Sequence, residues 1–292
     1  MLVLTYELNK ASLKLIILIK FMSANTLKKC LPCVSVIIAC RNAEKWISLA
    51  IQSVLKQSFQ SFEIIVADDC STDSSLILIK SFIEKDDRIN LISLKKQSGA
   101  GAARNAALNI ATGRYISFLD ADDIWLENKL EVQITFMKQG NHALCFAAYE
   151  KINDNGMLIG KVGVPQRVNY RTLLKTCVMG CLTVVYDSQY FGKVEMPLLK
   201  KRQDYALWLK LLKKVEFAYG INIPLAQYRI HNNTLSSNKL MAAIYTWKLF
   251  HHTEKLPFLP CIYYFSHYSI RGVLRQYFPR LALTLGALQH VE

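Results

Sequence analysis

The chain has 292 residues, 52% of them hydrophobic and 20% charged, which is enough apolar content for a full core and excludes a disordered chain. Lysine and arginine outnumber the acids 36 to 22, a net charge of +14. That balance favours a phosphate-bearing partner, whether a nucleotide, a nucleic acid or an anionic membrane, and composition alone does not choose among them.

At the N-terminus, residues 13–22 are apolar but carry Lys14 and Lys20. A bilayer-spanning helix needs about 20 mostly apolar residues, so this run is too short to span. Residues 1–32 are therefore expected to be an extension preceding the domain, with Met22 as an alternative start. Cys30-Leu-Pro-Cys33 is a lone C-x-x-C with no second pair at zinc spacing. The eight cysteines are read as reduced thiols of a cytosolic protein.

Regular patterning starts at Val34. Residues 34–40 are a β-branched run, the mark of a buried strand. A helix is predicted over 44–56, with Trp46, Ile47, Ala50, Ile51 and Val54 on one face. A second strand over 63–68 ends on acids, a helix over 73–85 follows, and 89–94 is the third strand. The Gly-Ala loop at 99–103 opens another helix, and 115–119 is the fourth strand. Strand–helix alternation with short loops predicts an α/β fold built on a parallel, doubly wound sheet. Beyond residue 126 the alternation becomes irregular: a helix over 126–138, a strand over 143–149, a turn at Asn153-Asp-Asn-Gly156 predicting a hairpin, and a strand over 182–186. An amphipathic helix over 204–214 carries Leu207, Trp208, Leu211 and Leu212, and the chain from 236 on is helical, aromatic and basic.

Ligands of such sheets bind beyond the carboxyl ends of the strands. Asp68 and Asp69 stand there after the second strand, and Asp120, Asp122 and Asp123 after the fourth. Carboxylates repel a diphosphate but hold one through a divalent cation, which suits Asp120-Ala-Asp122-Asp123; a solvated acidic loop capping the next helix is the plainer alternative. Asp73 is read as a helix cap, and Asp69 as an acceptor for a nucleobase N–H. Gly99-Ala-Gly-Ala-Ala-Arg104 opens a helix, whose N-terminus favours anions; Arg104 is either a surface charge or a nucleotide contact.

Taken together these segments resemble the family 2 glycosyltransferases, which have a GT-A fold. The resemblance rests on Val34-Ser-Val-Ile-Ile-Ala-Cys-Arg-Asn42, Ser53-Val-Leu-Lys-Gln57, Glu63 to Asp73, Ala103-Arg-Asn105 and Asp120-Ala-Asp-Asp123. Gly180-Cys-Leu-Thr183, Met196-Pro197, Arg202 to Leu212, Tyr228-Arg-Ile-His231 and Ser236-Ser-Asn-Lys239 resemble its teichuronic-acid, lipopolysaccharide and capsule branch. The resemblance implies a Rossmann-like, mostly parallel sheet flanked by helices, with a helical C-terminal appendage. It implies that the backbone near Ala39 and the Asp69 side chain bind the base, that Arg104 and Asp120 contact the nucleotide sugar, and that Asp122 ligates Mn²⁺ or Mg²⁺. Asp204 would be the catalytic base of an inverting displacement, an N-cap or an ion pair with Arg202 being the alternative. His231 would face the metal or diphosphate, where a lone buried histidine is the plainer reading. The family usually has Pro-x-Tyr-Asn where this chain has Ala39-Cys-Arg-Asn42, which leaves the side-chain contacts at Ala39 and Arg41 open.

The expected division is 1–32 extension, 33–235 catalytic domain (33–126 nucleotide-sugar half, 127–235 acceptor half) and 236–292 C-terminal region. Residues 257–270 lack charged side chains, are rich in aromatics and are followed by Arg271, Arg275 and Arg280. They suit either a helix packed on the domain or, preferred here, one at an anionic membrane surface, placing the protein in the cytoplasm against the inner face of the cell membrane. The partners are then a nucleotide-diphosphate sugar and a glycan or lipid-linked acceptor, not a nucleic acid. The alternatives are a sugar nucleotidyltransferase or a catalytically inactive scaffold of the same fold.

Overall fold

The computed structural model describes residues 31–231, 239–286, 289 and 291. Residues 1–30 of the expected N-terminal extension, Cys30 among them, and residues 236–238 of the last motif lie outside them. Residues Cys33–Glu292 form one compact unit.

The first half alternates as the patterning predicts: β1 Val34–Cys40, α1 Ile47–Leu55, β2 Phe62–Asp68, α2 Ser75–Ile83, β3 Ile89–Ser93, α3 Ala100–Ile110 and β4 Tyr115–Asp120. There follow β5 Ile124–Trp125, α4 Lys129–Gly140, β6 Leu144–Ile152, β7 Leu158–Val162, β8 Arg167–Val168, α5 Tyr170–Lys175, β9 Val185–Asp187 and α6 Ser188–Phe191. The remainder is α7 Gln203–Leu212, β10 Ala218–Arg229, α8 Lys239–Lys248, a π-helical turn at Leu249–Thr253, α9 Phe258–Tyr277 and α10 Pro279–Thr284.

The strands form one sheet in the order β3-β2-β1-β4-β9-β6-β10-β5, with β7 beside β6 and β8 beside β10. The β3-β2-β1-β4 half is parallel. β9 then runs antiparallel between β4 and β6, so the second half is mixed, with β6 and β10 parallel to each other. Strand side chains alternate between faces, and β1 shows it: Ile37 enters one core, Val36 and Ile38 the other. α3, α5 and α7 cover the first face through Ala103, Ala107, Leu173 and Trp208; α1, α2 and α4 cover the second through Ile51, Val54, Ile79 and Ile134.

Two elements differ from expectation. The strand predicted at 182–186 is shorter, because Cys181–Thr183 forms a 3₁₀ turn before β9. The carbonyls of that turn are taken by side chains: Trp125 Nε1 donates to Leu182 at 2.9 Å and Gln133 Nε2 to Thr183 at 2.8 Å. The longest strand, β10, has no clear signal in the sequence, since Gly220 and Pro224 interrupt it. The fold accommodates Pro224 at a register shift, where a missing N–H costs no ladder bond.

The C-terminal helices pack on the first core. Leu249, Phe250 and Cys261 are buried there, with Tyr264, Phe265 and Tyr268 against them. Tyr268 stacks on Tyr205 of α7 with centroids 6.1 Å apart. Tyr264 and Phe265, expected to face a membrane, therefore face inward. The opposite face of α9 carries exposed Leu259, Ile262, Tyr263, Ile270, Val273 and Tyr277 at helical spacing. No helix among the described residues is long and apolar enough to cross a membrane.

Candidate active site

The parallel strands bring the sequence-predicted residues to one rim. Ala39 lies level with Ala67 and Asp120, and Cys40 with Asp68, so β1, β2 and β4 end side by side. The Asp69 N–H donates to the Cys40 carbonyl at 2.8 Å. The buried Asp69 carboxylate accepts from the Ser98 and Gly99 amides at 2.6 and 2.8 Å, which anchors the loop entering α3. Gly99 at φ 88° takes a conformation that a side chain would strain. The neighbouring loops are laced together: Asn42 donates its N–H to Ser71 Oγ and accepts the Thr72 N–H through Oδ1. Asp73 accepts from the Ser75 N–H, as a helix-start residue should, and also from the Glu44 N–H, both at 3.0 Å.

Arg104 is not a surface charge. It is 6% exposed, and its guanidinium is paired with Asp120 at the end of β4. Burial opposes its charge, but Asp120, then Cys181 and Asp204, hold its pKa above the ordinary arginine value. Arg104 thus orients the carboxylate that the resemblance assigns to the nucleotide sugar, and the charge of Asp204 also favours its cation.

Asp122 stands half-exposed beside His231, whose Nε2 is 2.9 Å from Asp122 Oδ2. Burial, then Asp120, push the Asp122 carboxyl above its ordinary range, against the hydrogen bond to His231. Asp123 is buried, accepts the Arg229 N–H at 2.9 Å through Oδ1 and leaves Oδ2 without a partner. Arg229 completes the floor. Its Nε donates to the Asp122 carbonyl at 2.9 Å, Nη1 donates to the carbonyls of Asn153 and Asp154, and its plane lies 4.2 Å from the Trp46 ring centre. Asp122 and Asp123, the latter with an unpartnered oxygen, leave negative charge beside the Arg104–Asp120 pair that a cation would neutralise, and carboxylate oxygens suit Mn²⁺ or Mg²⁺. Among the described residues no three such groups converge on one point. The residues therefore fit a cation held by Asp122 and His231 whose remaining ligands come from diphosphate and water, the usual arrangement for Mg²⁺.

Asp204 lies in the first turn of α7, which forms another wall. α3 positions this wall. Asn105 exchanges two hydrogen bonds with the Met196 backbone at 2.8 and 2.9 Å, and Gly101 faces the Pro197 carbonyl and the Gln203 side chain. Arg202, at φ 67°, turns the chain sharply into the helix. Its guanidinium lies 5.6 Å from the Tyr268 ring centre rather than against Asp204.

Residues 35–187 match the family described as Glycosyl transferase family 2. The chain belongs to that family. As a family 2 glycosyltransferase it is 41% identical over 246 residues to TuaG of Bacillus subtilis strain 168, a glycosyltransferase named for teichuronic acid biosynthesis, covering 84% of this chain and 98% of that one. It is 39% identical to WfgD of Escherichia coli, named a UDP-Glc:α-D-GlcNAc-diphosphoundecaprenol β-1,3-glucosyltransferase, over 84% of this chain and 95% of that one. Among solved structures, Staphylococcus aureus TarS with UDP-GlcNAc superposes at a TM-score of 0.63 with 20% identity, over 87% of this chain and 79% of that one. The mannosyltransferase PcManGT of Pyrobaculum calidifontis, with GDP-Man and Mn²⁺, superposes at 0.61 with 16% identity, over 96% and 89%. Both share the GT-A fold, and the nucleotidyltransferase alternative falls with the family assignment.

Sequence reading of this transferase missed Arg229 as the residue that ties the acidic turn to β10. Its position two before His231 was the available signal. Asn105 was noticed only as part of a motif, although it fastens the α7 wall to α3.

Proposed function

We propose that this glycosyltransferase moves a sugar from a nucleotide-diphosphate donor to a lipid-linked glycan in cell-surface glycan synthesis, with inversion at the anomeric carbon and assistance from a divalent cation. The reading is supported by Asp122 held beside His231 and by the Arg104–Asp120 pair at the end of β4, with Asp204 near enough for its charge to favour the Arg104 cation. Ala39, Asp69 and Asp120 would receive the base and ribose at the strand ends. For Asp69 that role is shared with anchoring the Ser98–Gly99 loop. Asp204 would take the proton of an acceptor hydroxyl while its oxygen bonds to the anomeric carbon. The bond from that carbon to phosphate breaks on the far side, and the nucleoside diphosphate leaves with the electron pair. A positioned base is worth about 10²–10⁴-fold. A cation held by Asp122 and His231 would supply charge neutralisation at the departing diphosphate.

The E. coli relative's name joins a UDP-glucose donor to a β-linked product, the outcome of single displacement on an α-linked donor. Its named acceptor is a sugar on a diphosphate lipid, and TarS and PcManGT were solved with a UDP-sugar and a GDP-sugar with Mn²⁺. These support the same donor class here. Residues 33–126 would form the donor half, 127–235 the acceptor half, and 236–292 a membrane-facing appendage. The exposed apolar stripe of α9 supports attachment at the inner face of the membrane.

The test is release of nucleoside diphosphate from a panel of UDP-, GDP- and dTDP-sugars, with Mn²⁺ or with excess chelator. Release from one base class, dependent on metal, is expected. Full turnover in chelator would remove the metal from the mechanism.

A further inference from the structure

The C-terminal region takes hold of α7, the helix that carries Asp204, at both of its ends. In the first turn, half-buried Asp204 is followed by buried Tyr205. The Tyr268 ring of α9 stacks on Tyr205, with centroids 6.1 Å apart and planes inclined by 20°. Phe250, in the π-helical turn, meets Tyr205 edge-on at 6.1 Å and Tyr268 edge-on at 6.4 Å. The three rings close into one cluster built on the residue next to Asp204. The Tyr205 hydroxyl then ties the cluster to α5 by donating to the Leu173 carbonyl at 2.7 Å. On the donor side, the same first turn is seated against α3, where Gly101 faces Gln203.

At the other end, Lys213 is the C-cap of α7. Its ammonium lies 2.7 Å from Glu254 Oε2, on a side chain only 3% exposed. The hydroxyl of Tyr170, the first residue of α5, donates to the same oxygen. Burial, then the bond to Glu254, push the Tyr170 pKa up, so the hydroxyl keeps the proton it donates. Glu254 follows the π-helical turn directly, and its N–H closes that turn on the Leu249 carbonyl at 2.9 Å. A buried carboxylate is costly unless its donors reach it, so this contact tolerates few positions of Lys213. One short segment, Phe250 to Glu254, thus touches Tyr205 and Lys213, which lie roughly 12 Å apart along the helix axis.

We propose that Phe250, Tyr268 and Glu254 are positioning residues for the catalytic base: they fix α7 at both ends and so place the Asp204 carboxylate against the acceptor hydroxyl. The inference rests on the reading above that Asp204 is the base. A base acts only within hydrogen-bond reach of the proton it takes, and a displacement of about 1 Å can cost about 10²-fold in rate. The contacts described reach α5 and α7 and not the strand-end acids. Loosening them is therefore expected to slow the chemical step and to spare donor binding. A role in packing alone would lower stability and leave the rate of the folded molecules unchanged.

The test compares full-length wild type with Tyr268→Phe, Tyr268→Leu, Glu254→Gln, Asp204→Asn, and Tyr268→Leu combined with Asp204→Asn. Calorimetry gives the affinity for the nucleoside diphosphate in Mn²⁺, and its release at saturating donor gives turnover, with the donor that the sugar-nucleotide panel selects. Tyr268→Leu and Glu254→Gln are each expected to lower turnover about tenfold or more while affinity stays within about twofold, which also reports that they have folded. Tyr268→Phe keeps the ring and is expected to keep the rate. In the Asp204→Asn background, Tyr268→Leu is expected to lower the residual rate no further, because residues acting through one group are not additive. Wild-type turnover in both Tyr268→Leu and Glu254→Gln overturns the proposal. So does the same fold-loss from Tyr268→Leu with and without the Asp204 carboxylate, or an equal loss of nucleotide affinity. Glu254→Gln, nearly isosteric, decides alone where Tyr268→Leu does not fold. Normal turnover in Asp204→Asn strikes the base reading and the positioning role with it. Slow Asp204→Asn beside fast Tyr268→Leu and Glu254→Gln strikes the positioning role alone.

Discussion

Burial opposes ionisation at both Asp122 and Lys129, but only Asp122 lies where a ligand could relieve it. An ionised carboxylate whose folded pKa is raised destabilises the native state above that pKa, and the cost falls as pH drops and the group takes a proton. Asp122→Asn is therefore expected to raise Tm at neutral pH without metal, while losing activity. Mn²⁺ is expected to raise the Tm of wild type and not of the variant, because a ligand stabilises only the state that binds it. Equal metal-induced shifts in the two proteins would remove Asp122 from the metal site. Lys129 is fully buried, with Nζ 3.3 Å from Ser117 Oγ and 3.9 Å from the Trp125 ring centre. Burial pushes it down to about 7, with Cys145 opposing weakly. The unfolded chain then binds the extra proton between about pH 7 and the ordinary lysine value near 10.4, so this group's contribution to stability rises with pH across that window. Lys129→Met, close in volume, is expected to be more stable than wild type at pH 7, by up to about 5 kcal/mol, with the gain shrinking toward pH 10. Denaturant unfolding at the two pH values checks it. A gain independent of pH would mean that the buried lysine keeps its proton across this range and that its pKa is not lowered.

At the scale of elements, α9 separates two properties that the sequence shows as one mixture. Residues 257–270 read as aromatic and uncharged, but periodicity does not tell which aromatic faces the core. Packing assigns Tyr264, Phe265 and Tyr268 inward and leaves Leu259, Ile262, Ile270 and Val273 outside. Tyr268→Ala is expected to cost roughly 2–3 kcal/mol through lost stacking on Tyr205 and lost edge-on contact with Phe250. The triple change Leu259→Ser, Ile270→Ser, Val273→Ser is expected to leave Tm within a degree or two and to reduce co-sedimentation with anionic vesicles several-fold at low salt. Unchanged co-sedimentation would assign the stripe to another partner. Elements with one clean period were legible in the sequence: β1 to β4, and the helices between them. β10 was not, because Gly220 and Pro224 break its alternation and its stability comes from pairing with β6. The 3₁₀ turn at Cys181–Thr183 was not either, since the donors that take its carbonyls, Trp125 and Gln133, lie far away in sequence.

Across the whole molecule, the site is a meeting of two segments remote in the chain. The strand-end acids were legible because a parallel sheet forces them to one rim. Their roles were legible only in part. Both oxygens of Asp69 hold the Ser98–Gly99 backbone, a long-range contact that no local pattern encodes. Arg104 had two open readings, and its burial against Asp120 removes the surface one.

The central claim is that the Asp122 wall binds the donor and the Asp204 wall does chemistry on the acceptor. The most direct test compares Asp122→Asn with Asp204→Asn, using calorimetry for nucleoside diphosphate affinity in Mn²⁺ and turnover at saturating donor. The account predicts that Asp204→Asn keeps near-normal affinity and loses turnover by about 10²-fold or more, while Asp122→Asn loses affinity together with its metal dependence. A collapse of nucleotide affinity in Asp204→Asn with normal turnover at saturation would contradict it, making Asp204 a donor-binding residue.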